Sequence, residues 1–439
     1  MLVALLAGAH AQSSDADSSD PTSDTAKFWP LPFIVDTDIG CGGCRDVDDV
    51  VSVCIANAMA DRGEIDLIAV VQNTLNPSGV GVISALNNYY GRPDVRIGTY
   101  KGGDLADNVK LSYVDKVISL APGDVKNASM VDDSVTVYRK ALASQDDGTV
   151  VIASIGPLTN LKDLFNSQGD DISPDDGKTL FQKKVKRIGF MGGRYPSSAG
   201  HDCECNLCAA FNGAIDQKKT SQISADVVDA LSNMSNVEMQ WGGFEVGFEV
   251  QTGARLSKCA PTSNPCRQAM IDFEGGEDKG RFSWDPLATL IAVRGPEAAG
   301  CETCKNCDGV NSVTAKDGSN TWVPRPNGTS QQSYYTLKDK AKAMNAIDDL
   351  LCVPPAKSPE NAAAWRSSSS AKGKGNTAGN RQLTPPSSDE DGTADDDEGD
   401  DDGWRVSDSK VVGDYSDVAS ENAQQHRLLK RSAEEDTEN

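Results

Sequence analysis

Short apolar runs of strand length recur along the chain at residues 33–35, 65–71, 149–155, 185–191 and 237–241, rich in Val and Ile. Between and after them lie longer stretches of helical character at 50–61, 80–90, 221–231 and 286–293. Strands that are apolar on both faces and alternate with helices predict an α/β fold, a largely parallel sheet covered on both sides. No internal repeat is visible, so one domain is expected over 28–355.

Beyond about residue 358 the pattern stops. Ser, Gly, Asn, Asp and Glu replace the large apolar residues, and such a segment cannot offset the entropy of ordering the chain. A disordered acidic tail is therefore expected over 356–439. The net charge of −23 over 439 residues is partly concentrated there, with ten acidic residues between Asp389 and Asp402. Acidity of this kind argues against a nucleic-acid partner, and no stretch approaches a membrane span.

Residues 1–11 contain the apolar run Leu2 to Ala7 and then Ala9-His10-Ala11, the small-x-small pattern that precedes a signal cleavage site, though without a basic start. We read them as a signal peptide, the alternative being an apolar leader; 12–27, rich in Ser and Asp, reads as a flexible leader. Secretion agrees with three glycosylation sequons, at Asn127, Asn233 and Asn327. It also agrees with twelve cysteines, most of them clustered in loops as disulfides of an exported protein are. Cys41-x-x-Cys44 and Cys301-x-x-Cys304-x-x-Cys307 have spacings that zinc would also accept. Cys54, inside an apolar helical pattern, is expected to be a buried thiol, while Cys352 is free to pair with any loop cysteine.

The candidate chemistry begins at the end of the first strand. Asp36-Thr37-Asp38 follows the apolar residues 33–35, and Asp48-Asp49 opens the next helix. Four carboxylates around one turn repel one another unless a cation sits among them, and hard oxygen donors suit a divalent metal. The location is right for a ligand site, because open α/β sheets bind at the carboxyl ends of their strands, and a helix N-terminus tolerates negative charge. A solvated acidic loop with Asp48 as helix cap is the plainer alternative.

Four stretches, in order, resemble the inosine/uridine-preferring nucleoside hydrolase family. They are Asp36-Thr37-Asp38-Ile39-Gly40 with Asp48-Asp49, then Ile155-Gly156-Pro157-Leu158-Thr159-Asn160, then Met191-Gly192-Gly193 with Glu204-Cys205-Asn206, and finally Asp285-Pro286-Leu287-Ala288. The resemblance implies a Rossmann-like, mostly parallel central sheet flanked by helices. It also implies calcium-dependent hydrolysis of the N-glycosidic bond of ribonucleosides, giving ribose and free base. Asp38, Asp49, Asp285 and the backbone carbonyl of Ile155 would be Ca2+ ligands, with Asp38 also the general base. Asp48, Asn73, Glu204 and Asn206 would bind the ribose hydroxyls, and Asp36 would support the ligands from behind. The implied partner is a small-molecule nucleoside, and the family often forms homo-oligomers.

The chain departs from that family at two places. Cys41-Gly42-Gly43-Cys44-Arg45 is inserted in the metal-binding turn, where a Cys41–Cys44 disulfide would close it. The insertion reads as a tolerated loop, or else as a lid in which Asp46 alters metal binding. The position that carries a leaving-group histidine in many purine-active members is Trp284. His201, three residues before Glu204, and Trp284, by stacking on the base, are then the two candidates for leaving-group activation. A secreted nucleoside- or ribose-binding protein with little or no catalysis is the competing reading.

Overall fold

The computed structural model describes residues 30–40, 44–103, 110–209, 216–325 and 330–356. The candidate signal peptide, the Ser/Asp leader, the acidic tail beyond Ala356, Cys41 and the Asn327 sequon lie outside the described residues. The strands are β1 Leu31–Thr37, β2 Ile65–Gln72, β3 Arg96–Thr99, β4 Asp132–Asp133, β5 Val150–Ile155, β6 Val185–Met191 and β7 Glu238–Gly242. These are followed by β8 Gln251–Thr252, β9 Arg281–Phe282, β10 Cys301–Thr303, β11 Gly309–Val313, β12 Asn320–Pro324 and β13 Gln332–Leu337.

Nine strands form one sheet in the order β10-β13-β7-β6-β5-β1-β2-β3-β4. Every pair in it is parallel except β10 with β13. The central strands β1, β2 and β5 have mostly apolar sequences, as strands covered on both faces must. Phe33 and Val35 face a layer that includes helices Asp48–Asp61, Gly79–Tyr89, Trp284–Arg294 and Lys340–Leu351. Ile34 faces the other layer, which includes helices Ser134–Ala143, Thr159–Asn166, Gly177–Lys184 and Gln217–Ser232. The expected α/β fold, a mostly parallel sheet flanked by helices, is what the chain adopts.

Register brings the functional segments to one edge. Thr37 of β1 pairs with Gln72 of β2 and with Ile155 of β5, so these strands end level. The backbone N–H of Asn73 donates to the Thr37 carbonyl at 2.9 Å and extends that edge by one residue. The antiparallel pair β11 and β12 is an addition to this frame and reaches back to it through Asn320. The Asn320 side chain accepts from the Arg194 backbone N–H and donates to the Arg194 carbonyl, each at 2.9 Å, which fixes the loop after β6.

The cysteines correct two expectations. Cys54 is not a thiol but is bonded to Cys266, joining helix Asp48–Asp61 to helix Pro265–Glu274 inside the core. A buried half-cystine and a buried thiol have the same apolar periodicity, so the pattern could not separate them. Cys44 is bonded to Cys205, not to Cys41. Cys203–Cys208, Cys259–Cys352 and Cys304–Cys307 are also bonded, and Cys301 is a buried thiol. The Cys301, Cys304 and Cys307 run is thereby divided between a thiol and a disulfide, which is not a zinc ligand set.

Candidate active site

Helix Asp48–Asp61 starts at the mouth of β1, and helix Trp284–Arg294 starts beside it. Their first turns present Asp48, Asp49 and Asp285 to one another, all buried, with ligand oxygens within 4.8 Å. Helix N-termini favour this arrangement, since their free N–H groups and dipoles point at the acids. The backbone N–H of Asp285 donates to Oδ2 of Asp48 at 3.1 Å, and the hydroxyl of Thr37 donates to Asp49.

The electrostatics of this cluster are unfavourable without a cation. Burial, and after it the neighbouring charge of Asp46, raises Asp48 well above the usual carboxylate range. Burial and the charges of Asp38 and Asp48 do the same to Asp49, and burial with Asp48 and Asp49 does the same to Asp285. Three such groups stay ionised together only if a positive charge joins them. Arg281, whose charge acts on Asp48, is already committed to Asp46, with Nε at 2.9 and 3.1 Å from its two carboxylate oxygens. An all-oxygen, all-acidic donor set of this kind fits a hard divalent cation.

Asp46 is therefore a structural acid. Besides Arg281, its Oδ1 accepts from the Val47 N–H at 2.6 Å and from the Asp48 N–H at 3.4 Å, and so braces the turn that delivers Asp48. Asp46 also adds its charge to those acting on Asp48, Asp49 and Asp285, so it acts on the acidic cluster through the turn and through its field.

Asp38 follows β1 and is buried. Its Oδ2 accepts from the Cys44 N–H at 3.3 Å. It also lies against Gly156, where a Cβ would stand 2.8 Å from Asp38 Oδ1 and 2.4 Å from Asn73 Nδ2. Only glycine allows β5 to bring its end this close, so the Ile155-Gly156 step, Asn73 and Asp38 share one contact. Asp36, two residues earlier in β1, is buried behind them. Tyr138 Oη donates to its Oδ2 at 2.6 Å and Asn160 Nδ2 to its Oδ1 at 2.9 Å, yet burial still pushes it up to about 7.

Glu204 caps the short helix Cys205–Cys208. Its carboxylate accepts from the Gly193 N–H at 3.0 Å and the Asn206 N–H at 2.9 Å, while burial pushes it up to about 7. Asn206 Nδ2 donates to the Met191 carbonyl at 3.1 Å. His201 is exposed in the turn before them, its backbone N–H bonded to the Ser198 carbonyl at 3.0 Å. Trp284 is half-buried; its Nε1 donates to the Phe244 carbonyl at 2.7 Å, and its ring packs against Phe244 and Phe282, each at 5.2 Å between centroids.

The fold thus gathers Asp48, Asp49 and Asp285, with Asp38 electrostatically coupled to all three. It sets Asn73 against Asp38 across Gly156 and ties the Glu204/Asn206 loop to the same turn through Cys205. Three participants were not read from the sequence: Arg281, Tyr138 and the Cys44–Cys205 bond. Of these only Arg281 left a trace, a basic residue four positions before Asp285 in an acidic protein.

No family model matches the chain, and no curated protein does. Solved structures do match it. A plant nucleoside hydrolase aligns over 74% of this chain and 100% of its own, at 17% identity and a TM-score of 0.51. The chain has the nucleoside hydrolase fold. The inosine-uridine preferring nucleoside hydrolase from Bacillus anthracis shows the nucleoside hydrolase fold over 74% of this chain and 99% of its own, at 13% identity and a TM-score of 0.50. The type III effector protein XopQ, solved with adenosine diphosphate ribose, covers 77% and 95%, at 13% identity and a TM-score of 0.53. Against this nucleoside hydrolase fold, the acidic cluster lies at the carboxyl end of β1, where α/β sheets hold ligands.

Proposed function

We propose that the chain hydrolyses the N-glycosidic bond of ribonucleosides with the help of Ca2+, and that it works in an oxidising, extracellular compartment. The observation that carries the reading is the buried Asp48, Asp49 and Asp285 cluster at the mouth of β1 in this fold. Asp38, Asp49, Asp285 and the Ile155 carbonyl would hold the metal, with the carboxylate of Asp48 within 4.8 Å of those of Asp49 and Asp285. A divalent cation here supplies charge neutralisation, a grip on vicinal hydroxyls and a more acidic neighbouring water.

The residues of the chain do the rest. Asp48, Asn73, Glu204 and Asn206 orient the ribose hydroxyls. Asp38 takes a proton from the attacking water as its oxygen bonds to the anomeric carbon, and the C–N electron pair leaves with the base. The ribosyl centre becomes cationic in that transition state, so the surrounding carboxylates stabilise it more than the ground state. Asp36 is held behind them by Tyr138 and Asn160. The disulfides support the compartment, since such bonds persist where thiols are oxidised.

One observation favours the second reading, a nucleoside- or ribose-binding protein. The N–H of Trp284 is spent on the Phe244 carbonyl, and His201, the single histidine among the described residues, is exposed. Activation of the departing base then rests on a proton from solvent or on stacking of the base against Trp284. Reducing-sugar release from inosine, uridine and adenosine, with calcium and with excess chelator, separates the readings. Calcium-dependent release is expected, and it should vanish in Asp38→Asn while that variant stays folded. Stabilisation by nucleoside without release would select the binding protein.

A further inference from the structure

We propose that the Cys44–Cys205 disulfide positions the ribose-binding pair Glu204 and Asn206 over the carboxylate-bearing turn, so that nucleoside affinity in this chain depends on that bond. The inference rests on the assignment of Glu204 and Asn206 to ribose hydroxyls. The bond spans 161 residues and joins two loops from different strands. On one side, the Cys44 N–H holds Asp38 Oδ2 at 3.3 Å. On the other, Cys205 is the residue between Glu204 and Asn206, and Cys44 Sγ lies 3.1 Å from Asn206 Oδ1.

Other ties of the Glu204 loop run to the end of β6 and to helix Gln217–Ser232, where Gln217 Nε2 donates to Cys203 Sγ at 3.7 Å. Glu204 is bound by Gly193, whose φ of +90° suits glycine, and Asn206 by the Met191 carbonyl. These bonds fix the loop to the end of β6, two strands away from β1, where Asp38 sits. Among the described residues, the covalent link between the two is Cys44–Cys205. The neighbouring Cys203–Cys208 bond closes only 5 residues and shapes the loop within itself. Hydroxyl-binding groups must be held to a fraction of an ångström, and a loop is held less well than a strand unless something fixes it. Cys44, through its bond to Cys205, thus works as a strap between the two loops.

A cross-link of this span also stabilises the fold, so the test separates placement from stability. Non-reducing peptide mapping of the full chain should find Cys44 joined to Cys205. Cys44→Ser/Cys205→Ser should raise KM for nucleosides roughly tenfold or more while kcat falls less than about threefold. Asn206→Ala should then cost far less in that background than in the wild type. Cys54→Ser/Cys266→Ser, which removes a core disulfide, should lower Tm and leave KM alone. If the first variant does not fold, brief treatment of the native chain with dithiothreitol serves instead. The dithiol gives two electrons and two protons to the Cys44–Cys205 bond and closes to its own disulfide, and KM should rise with the fraction of Cys44 thiol.

A wild-type KM in the folded variant, or a mapping that pairs Cys44 elsewhere, overturns the proposal. A wild-type chain that neither releases ribose nor gains Tm from any nucleoside overturns the functional assignment itself.

Discussion

The phenol of Tyr138 donates to Oδ2 of Asp36 at 2.6 Å, where both groups are buried behind the acidic cluster. Even with this bond and that of Asn160, burial holds Asp36 at about 7. Tyr138→Phe removes a donor whose value depends on the charge of its partner. Above pH 7 the variant should lose about 1.5–3 kcal/mol of folding stability, as expected for a hydrogen bond to a charged group. Near pH 5, where Asp36 is protonated in the folded chain, the loss should be smaller. Urea unfolding at the two pH values checks this, and an equal loss at both would place the charge elsewhere.

Metal-free protein should lose stability as pH rises. The folded chain keeps protons on Asp36 and Glu204 up to about 7, whereas the ordinary values are 3.8 and 4.5. Between those limits the unfolded chain binds fewer protons than the folded one, so unfolding becomes easier with each step upward in pH. The raised values of Asp48, Asp49 and Asp285 act in the same direction. Thermal melts in chelator should show Tm falling from about pH 5 to about pH 8. Calcium should restore it most at the alkaline end, by about 2.7 kcal/mol at a hundredfold excess over Kd. Asp49→Asn should remove most of that calcium response, and an undiminished response would take Asp49 out of the ligand set.

What the sequence showed of the fold is what local pattern can carry. The apolar run after Pro32 and the closing acids at Asp36 and Asp38 defined both a strand and the edge where it stops, because a buried strand and its polar mouth differ in composition. Gly156 and Gly193 fell within motif stretches that their close packing explains. The long-range partners were not legible. Asp46 finds Arg281 at a separation of 235 residues, and Cys44 finds Cys205 at 161, distances over which spacing says nothing about proximity. Local spacing favoured Cys41 as the partner of Cys44, and the tertiary fold chose Cys205.

Trp284 carries two roles that a pair of substitutions should separate. Its ring packs with Phe244 and Phe282, and its Nε1 donates to the Phe244 carbonyl. Trp284→Phe keeps an aromatic face and loses the hydrogen bond, at about 1 kcal/mol of stability. Trp284→Ala should cost about 3 kcal/mol, toward the low end for a large aromatic because the site is half-buried. If the ring stacks on the base, kcat should fall strongly in the alanine variant and modestly in the phenylalanine one, with little change in KM. Equal kcat in all three proteins would confine Trp284 to packing.

The Asp46–Arg281 pair offers the sharpest separation of support from ligation. Asp46 is buried and Arg281 largely so, and the pair lies directly beside Asp48, whose turn Asp46 braces through the Val47 and Asp48 N–H groups. Removing Arg281 alone leaves Asp46 as an uncompensated buried charge next to an already acidic cluster. Arg281→Met should therefore destabilise the fold by about 3–5 kcal/mol, the usual cost of breaking a buried pair on one side. Asp46→Asn in the same background removes the stranded charge while keeping an acceptor for the two N–H groups, so the double variant should regain part of the loss. Calcium should stabilise the double variant as it does the wild type, because neither residue belongs to the assigned ligand set. Urea unfolding with and without calcium measures both effects. A double variant that unfolds normally but no longer responds to calcium would return Asp46 to the metal site.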